Sequence, residues 1–355
     1  MMQHLSAMPG RAATSVRMYA VAIGGVLLVG VGLLYLAGHD VGQSISALWR
    51  GAFGSYDALV SSTLVRAIPL MLLGVAVSVA FRVGAFNVGG DGQFLAGAAA
   101  GAWLALLDFP IPAPLRILIA LIAGAAAGAL WGFIPAVLRR RWGVFEVLST
   151  LMMNFIAAYG VSYLVRGPLQ EPTRIYPQSA TIANAAHLPL LLQGTRLHLG
   201  FLLAVACVIG AWIWLSFRES GFRARVTGAN PVAAASAGLI GTERVTFRVF
   251  LASAALCGLA GSVEVLGITF ALYENLSPGY GFTAIVVALL AGLHPLGVIV
   301  SAIFMAGLDA GATAMQREAG VPSVTVWVIQ GLLVLALLAT RVFAERNPRL
   351  RFARP

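Results

Sequence analysis

Asn87-Val88-Gly89-Gly90-Asp91-Gly92-Gln93 interrupts a sequence that is otherwise built for lipid. An aspartate at the centre of a spanning helix costs about 2.5 to 3.5 kcal/mol on insertion scales, and glycine is about 1 kcal/mol poorer than alanine in a helix interior. Non-helical backbone at membrane depth is tolerated only where protein buries it or where it lines a cavity. Two readings follow. In the first, which we take as the working expectation, the stretch belongs to a transport pathway bordered by Asn87, Asp91 and Gln93. In the second it is a short cytoplasmic turn, with Asp91 capping the helix that follows.

Working outward, 59% of the 355 residues are hydrophobic and 10% are charged, against about 25% charged in soluble domains. The apolar runs are continuous rather than alternating, which specifies helices and not the strands of a membrane barrel. The expected fold is therefore all-α, a polytopic membrane helical bundle forming one transmembrane domain over residues 1–355. A span needs roughly 20 apolar residues. Runs near 18–38, 63–81, 90–107, 115–138, 144–165, 199–216, 249–268, 282–293, 296–314 and 324–341 qualify, although the eighth is too short to cross. The first run follows Arg11 and Arg17 and is longer than a signal-peptide core, so it is read as a retained helix.

Arginine placement orients these segments. The Arg139-Arg140-Arg141 triplet, residues 1–17, the loop 217–248 and the tail 342–355 are expected in the cytoplasm, and the proline-containing loop 166–198 outside. Segments two to five and seven to ten then start from opposite sides, each set holding a glycine-rich interruption, at 87–93 and 278–296. Such matched discontinuities point to a transporter built from inverted repeats.

All 23 basic residues are arginine. A Walker A loop needs lysine for the nucleotide phosphates, so any ATP that drives the process is bound with Mg by another subunit. The net charge of +10 resides in short clusters at the ends of apolar runs, which topology explains and nucleic acid does not. Cys207 and Cys257 read as buried small hydrophobes. No spacing of histidine, cysteine or carboxylate suggests a metal centre.

Within the loop 217–248, Asn230 is suited to an N-cap, Pro231 to a first helical position and Gly238 to a stop, which delimits a two-turn helix. Its small side chains, Ala234 among them, suit a groove on a partner, and Arg223 and Arg225 could meet carboxylates there. The alternative is a linker resting on the bilayer surface.

The strings FNVGGDGQ (86–93), STLMMNFIAAYGVSYLVRGPLQEP (149–172), RVTGANPVAAASAGL (225–239) and GYGFTAIVVALLAGLHPLGV (279–298) together resemble the permease subunits of bacterial ABC importers for nucleosides, near the ribose and branched-chain amino acid permeases. The resemblance runs from about residue 64 to 340. Family members usually have glutamate where Asp91 stands and alanine or valine where Gly90 stands. It implies a multi-pass subunit of the bacterial inner membrane, without enzymatic activity or a cofactor of its own. Its implied partners are a second permease (a related but different chain), a cytoplasmic ATPase and an extracytoplasmic substrate-binding lipoprotein. Residues 225–239, with Gly228, would form the coupling segment that meets the ATPase.

Further polar groups fit this picture in more than one way. Glu146 and Asn154 share a helix face and could line the pathway, while Glu146 could instead pair with Arg141. Glu264 and Asp309 face either the pathway or another helix. Tyr280 and Phe282 could stack on a nucleobase or sit in an interfacial aromatic belt. The expected cargo is a nucleoside, with ribose or another simple sugar as the alternative. An ion-coupled secondary transporter is the rival mechanism, but it would need more titratable groups than these spans carry.

Overall fold

A computed structural model of the chain describes residues 24–26, 28–108, 110–236 and 241–322, with helical positions at 324–325, 327–328, 331–332, 335–336 and 339. Its helices are α1 (Gly24–Leu36), α2 (Val41–Ala52), α3 (Leu64–Arg82), α4 (Gly90–Leu106), α5 (Ala113–Trp142), α6 (Glu146–Arg166), α7 (Gly200–Phe217), α8 (Glu219–Ala229), α9 (Pro231–Ser236), α10 (Thr242–Glu264), α11 (Tyr280–Leu290) and α12 (Pro295–Ala319). Strand-like pairing among the described residues is confined to isolated bridges such as Gln178 with Tyr273.

Among the described residues, six helical stretches are long and apolar enough to cross a bilayer: Ala58–Arg82, Ala113–Trp142, Glu146–Arg166, Gly200–Phe217, Thr242–Thr269 and Pro295–Ala319. They coincide with six of the apolar runs. The run at 282–293 becomes the 11-residue α11, too short to cross, and α4 has only 17 residues. Much of the run at 324–341 and part of that at 18–38 lie outside the described residues.

The chain divides into two compact units. In the larger, Leu59–Gly307, α3 is the central element. Ile68, Met71, Leu72 and Leu73 are fully buried there, as are its small residues Ala67 and Ala76. A helix that is apolar on every side is stable only when surrounded, and α3 packs on α10, α11 and α7. By contrast α5, α6 and α7 keep large apolar side chains such as Leu130, Phe155 and Leu202 exposed, the surface expected of helices facing lipid or another chain.

Small residues bring α4, α5 and α10 together. Gly124, Gly128 and Gly132 repeat every fourth residue on α5 and so share one face. A Cβ on Gly128 would lie 2.5 Å from the Ala254 carbonyl oxygen and 2.6 Å from the Gly258 Cα, and a Cβ on Gly97 would fall on the Gly258 backbone. The Ser262 hydroxyl donates to the Gly97 carbonyl at 3.0 Å and to that of Ala120 at 3.3 Å, joining all three helices.

The smaller unit holds the described residues up to Ala58 and those from Leu308 onward. Its amphipathic α2 was not anticipated from the apolar runs. Asp40 caps it by accepting from the Gln43 amide at 2.8 Å, and Arg50 in its last turn pairs with Glu318 at 2.7 Å. Leu34, Ala47, Ala312, Met315 and Val321 form the buried cluster of this unit.

Gly128→Ala is expected to lower the melting temperature of the detergent-solubilised chain, since overpacking costs about 1 to 3 kcal/mol. Gly210→Ala, on a face of α7 with nothing within 4 Å of the added methyl, should leave it unchanged or slightly raised. Equal melting temperatures for the two variants would contradict the close three-helix contact.

Candidate functional site

The break after α3 has a local cause. Gly84 adopts φ +76° just past the end of the helix, the left-handed conformation that stops helices and that glycine takes without strain. The chain then runs without regular structure to Gly89 before α4 begins at Gly90. Side chains satisfy the backbone groups exposed on this path. The Phe86 amide donates to Glu146 Oε1 at 2.6 Å, and the Gly89 amide donates to Asn87 Oδ1 at 3.1 Å. Asn154 closes the other side, accepting from the Gly92 amide at 2.8 Å and donating to the Val88 carbonyl at 3.0 Å.

The second interruption meets the first. Residues 270–279 leave α10 and its π-helical extension Val265–Thr269 without regular structure, and α11 starts at Tyr280. Asp91, in the first turn of α4, accepts at Oδ1 from the Gly281 amide at 2.9 Å, in the first turn of α11, and from the Ser277 hydroxyl at 2.6 Å. Ser277 in turn accepts from the Tyr280 amide at 3.0 Å. The N-termini of two short helices therefore converge on one carboxylate. Each such terminus carries roughly half a positive charge, so the carboxylate offsets a repulsion between them. Gly281 is required at the contact, because a Cβ there would lie 2.9 Å from the Asp91 carboxylate carbon.

Of the residues expected to border a pathway, Asn87 and Gln93 are enclosed and answer each other. Asn87 Nδ2 donates to Gln93 Oε1 at 2.8 Å, Gln93 Nε2 returns a bond to Asn87 Oδ1 at 2.9 Å, and Asn87 also reaches Ser253 at 3.1 Å. Asp91 and Asn154 are buried as well. Tyr280 packs edge-on against Phe94 at 5.7 Å, whereas Phe282 is half exposed. Glu146 pairs with Arg139 rather than Arg141, since the helical turn presents Arg139 to the start of α6. Glu264 is buried, and its Oε2 has no hydrogen-bond partner among the described residues. Ser253, Ser277 and Gly281 escaped sequence reasoning. Ser277-Pro278-Gly279 was a legible turn signal, but nothing local paired it with Asp91.

At the Arg139 end of the bundle, α8 and α9 form a separate feature. Asn230 caps α9 by accepting from the Ala233 amide at 3.0 Å. Ala234 is fully buried against its own chain, while Asn230, Val232, Ala233 and Ala235 face outward. Arg223 is already paired with Glu219 at 2.6 Å, and Arg225 lies over the Phe222 ring at 6.0 Å. Gly238 lies outside the described residues. Gly228 lets α8 rest on the end of α3, because a Cβ there would fall on the Arg82 carbonyl. Arg82 Nε donates to the Leu293 carbonyl at 2.7 Å, in the turn between α11 and α12. A continuous set of contacts thus runs from α9 through α8 and Arg82 to α11.

At the opposite end, Arg166 grips Glu274 through Nε at 2.9 Å and a second nitrogen at 2.7 Å, and Ser162 donates to the same carboxylate. Arg166 and then Ser162 hold the Glu274 carboxyl at about 2, well below 4.5.

Spanning helices, two short helices facing each other by their N-termini and a capped helix projecting from one end define a multi-pass membrane transport subunit. The chain belongs to the branched-chain amino acid transport system / permease component family, whose model matches residues 59–338. It is a permease component of an ABC transporter and has a transport role rather than an enzymatic one. It is 36% identical to the guanosine ABC transporter permease protein NupP of Bacillus subtilis, over 87% of this chain and 89% of that one. It is 35% identical to the glucose ABC transporter permease protein TsgB13 of Haloferax volcanii, over 94% and 88%. Identity to the nucleoside ABC transporter permease protein NupB of Lactococcus lactis is 28%, over 91% and 90%. No solved structure matches the chain significantly.

A double-mutant cycle of Asp91→Ala and Ser277→Ala should be non-additive by about 0.5 to 3 kcal/mol in thermal stability; additive losses would mean that the two side chains act separately. The Glu274 clamp sets a pH dependence of definite sign. A carboxyl depressed on folding stabilises fully above its unfolded value and loses that contribution as pH falls through its folded value. Melting temperature should therefore be insensitive to this pair above pH 4.5 and fall from there towards pH 2. Glu274→Gln should lower stability at neutral pH and lessen the fall in acid.

Proposed function

We propose that this chain is one membrane-spanning half of an ATP-driven importer in a bacterial cytoplasmic membrane, carrying nucleosides delivered by an extracytoplasmic binding lipoprotein. A second, related permease completes the pathway, and a separate cytoplasmic ATPase binds ATP and Mg. Both termini, the loop 217–248 and the arginine triplet lie in the cytoplasm, as the positive-inside rule requires. The loop 166–198 faces outward.

The observation that carries this reading is the physical linkage of an outward-facing helix to the meeting point of the two short helices. In the proposed cycle, closure of the ATPase dimer displaces α9. Gly228 passes the displacement to the end of α3, and Arg82 passes it to the Leu293 turn and so to α11. Because α11 is held by Asp91 on α4, the two discontinuous helices move as a linked pair while access alternates between the two sides. Asn87, Gln93 and Asn154 keep the break rigid, and Asp91, Tyr280 and Phe282 stand where the pathway would pass.

The guanosine and nucleoside permeases among the relatives support a nucleoside as cargo. The glucose permease of comparable identity supports a second reading, a simple sugar. Both cargoes are neutral and present a ring of hydroxyl groups, which suits a pathway of amide, hydroxyl and aromatic side chains.

Val232, 74% exposed on α9, is the residue to test. Val232→Glu should leave the melting temperature unchanged, as surface substitutions usually do. It should reduce co-purification of the ATPase and lower ATP-dependent uptake by about tenfold or more, a loss of about 1.4 kcal/mol or more in association. Full assembly with full uptake would remove α9 from the docking surface. Uptake by this chain alone, driven by a proton or sodium gradient, would overturn the ATP-driven reading.

A further inference from the structure

A cavity of about 170 Å³ opens beside the Asp91 junction, between α6 and the segment that leads into α11. Its floor is apolar, from Leu95, Ala158 and Val161. Its rim brings together Tyr159, Asn275 and the Ser162–Glu274 pair, with Ser277 at its inner edge. We infer that this cavity is the seat where the cargo's sugar ring and base meet this chain. The inference rests on the proposed importer reading and assigns residues to its cargo.

Three features support it. First, the hydrogen-bonding groups are unequally occupied. Ser277 is fully used, donating to Asp91 and accepting the Gly279 and Tyr280 amides at 3.2 and 3.0 Å. The side chains of Tyr159 and Asn275 have no hydrogen-bond partner among the described residues. An amide supplies two donors and an acceptor, and a phenol one donor and an acceptor, which matches adjacent hydroxyl groups on a sugar. Second, Asn275 adopts φ +57°. Asparagine tolerates this left-handed conformation better than most residues, and there it projects from the loop beside a carboxylate already neutralised by Arg166. The rim therefore offers no uncompensated surface charge to a neutral cargo.

Third, the exposed stripe of α6 changes character along its length. It is aliphatic and phenylalanine-bearing at Leu148, Met152, Phe155 and Ile156, then becomes tyrosine at 159 and 163. The Tyr159 side chain is 75% exposed at the mouth of the cavity. An exposed ring beside polar groups provides a stacking platform for a base without sequence-like selectivity. The cavity lies towards the Arg166 end of α6, which the proposed topology turns to the side where a binding protein releases cargo.

The test uses the complete complex in proteoliposomes with saturating binding protein, reading uptake per ATP hydrolysed for guanosine and for glucose. Tyr159→Ala should lower guanosine uptake about tenfold, within the range that loss of base stacking gives, while Tyr159→Phe keeps the ring and retains guanosine uptake. Asn275→Gly preserves the left-handed backbone while removing the amide, and should lower uptake of whichever of the two the complex carries. Wild-type uptake by both Tyr159→Ala and Asn275→Gly, in a complex that imports guanosine, would overturn the assignment and leave the importer reading intact. A complex that hydrolyses ATP but imports neither compound would overturn the cargo reading and this inference together. Should Asn275→Gly fail to assemble, the Tyr159→Ala and Tyr159→Phe pair decides the matter alone.

Discussion

The bond from the Gly281 amide to the Asp91 carboxylate is the contact on which the rest of the larger unit depends. Two helices that begin inside the bundle each leave first-turn amides unpaired and each present a positive dipole end. Brought together in a low-dielectric interior, they repel. One carboxylate between them offsets both dipoles and satisfies an amide, and the Ser277 hydroxyl fixes its orientation. Glycine at 90 lets the two helices approach closely, since a Cβ there would lie 3.3 Å from the Gly281 Cα.

That junction needs rigid support, and the protein provides it by close packing rather than large side chains. In a bilayer there is no hydrophobic force between apolar helices, so association rests on contact area and on interhelical hydrogen bonds. The glycine faces of α4, α5 and α10 let backbones touch, and Ser262 supplies bonds across the contact. The amide pair of Asn87 and Gln93 then holds the irregular segment before α4 against α10 through Ser253. Polar residues that suggest a permeation path from sequence thus serve first as the internal partners of a broken backbone. Discontinuous helices persist in apolar surroundings only when every freed amide and carbonyl finds such a partner.

The Arg139 end shows how the same economy links the bundle to its exposed helix. Gly228 on the Arg82 carbonyl, and the Arg82 guanidinium on the Leu293 carbonyl, are backbone-directed contacts that side-chain repacking cannot easily dissipate. In the proposed cycle they form the route between α9 and α11. Ala234, small in sequence terms because a partner groove was expected to receive it, is small because its own chain encloses it. The outward side of α9 falls to Val232 and its neighbours.

The sequence by itself determined the all-helical class, since long apolar runs admit no other backbone solution in lipid. It signalled that the chain breaks near each of two glycine-rich stretches, but not the bounds: the breaks fall just before them, at 83–89 and 270–279, while Gly90 and Gly92 lie inside α4 and residues 280–290 form α11. The Asn230 cap and Pro231 start of α9 were equally local and equally legible. Only the tertiary structure decided that the two interruptions meet, that Glu146 takes Arg139, and that Asn87 and Gln93 turn inward. It also brought Tyr159 and Asn275 to one cavity. The physical reason is the range of the interactions involved. Helix stops and caps are set by residues within one turn of each other, whereas Asp91 and Gly281 are 190 positions apart, and no period or local preference encodes a contact at that separation.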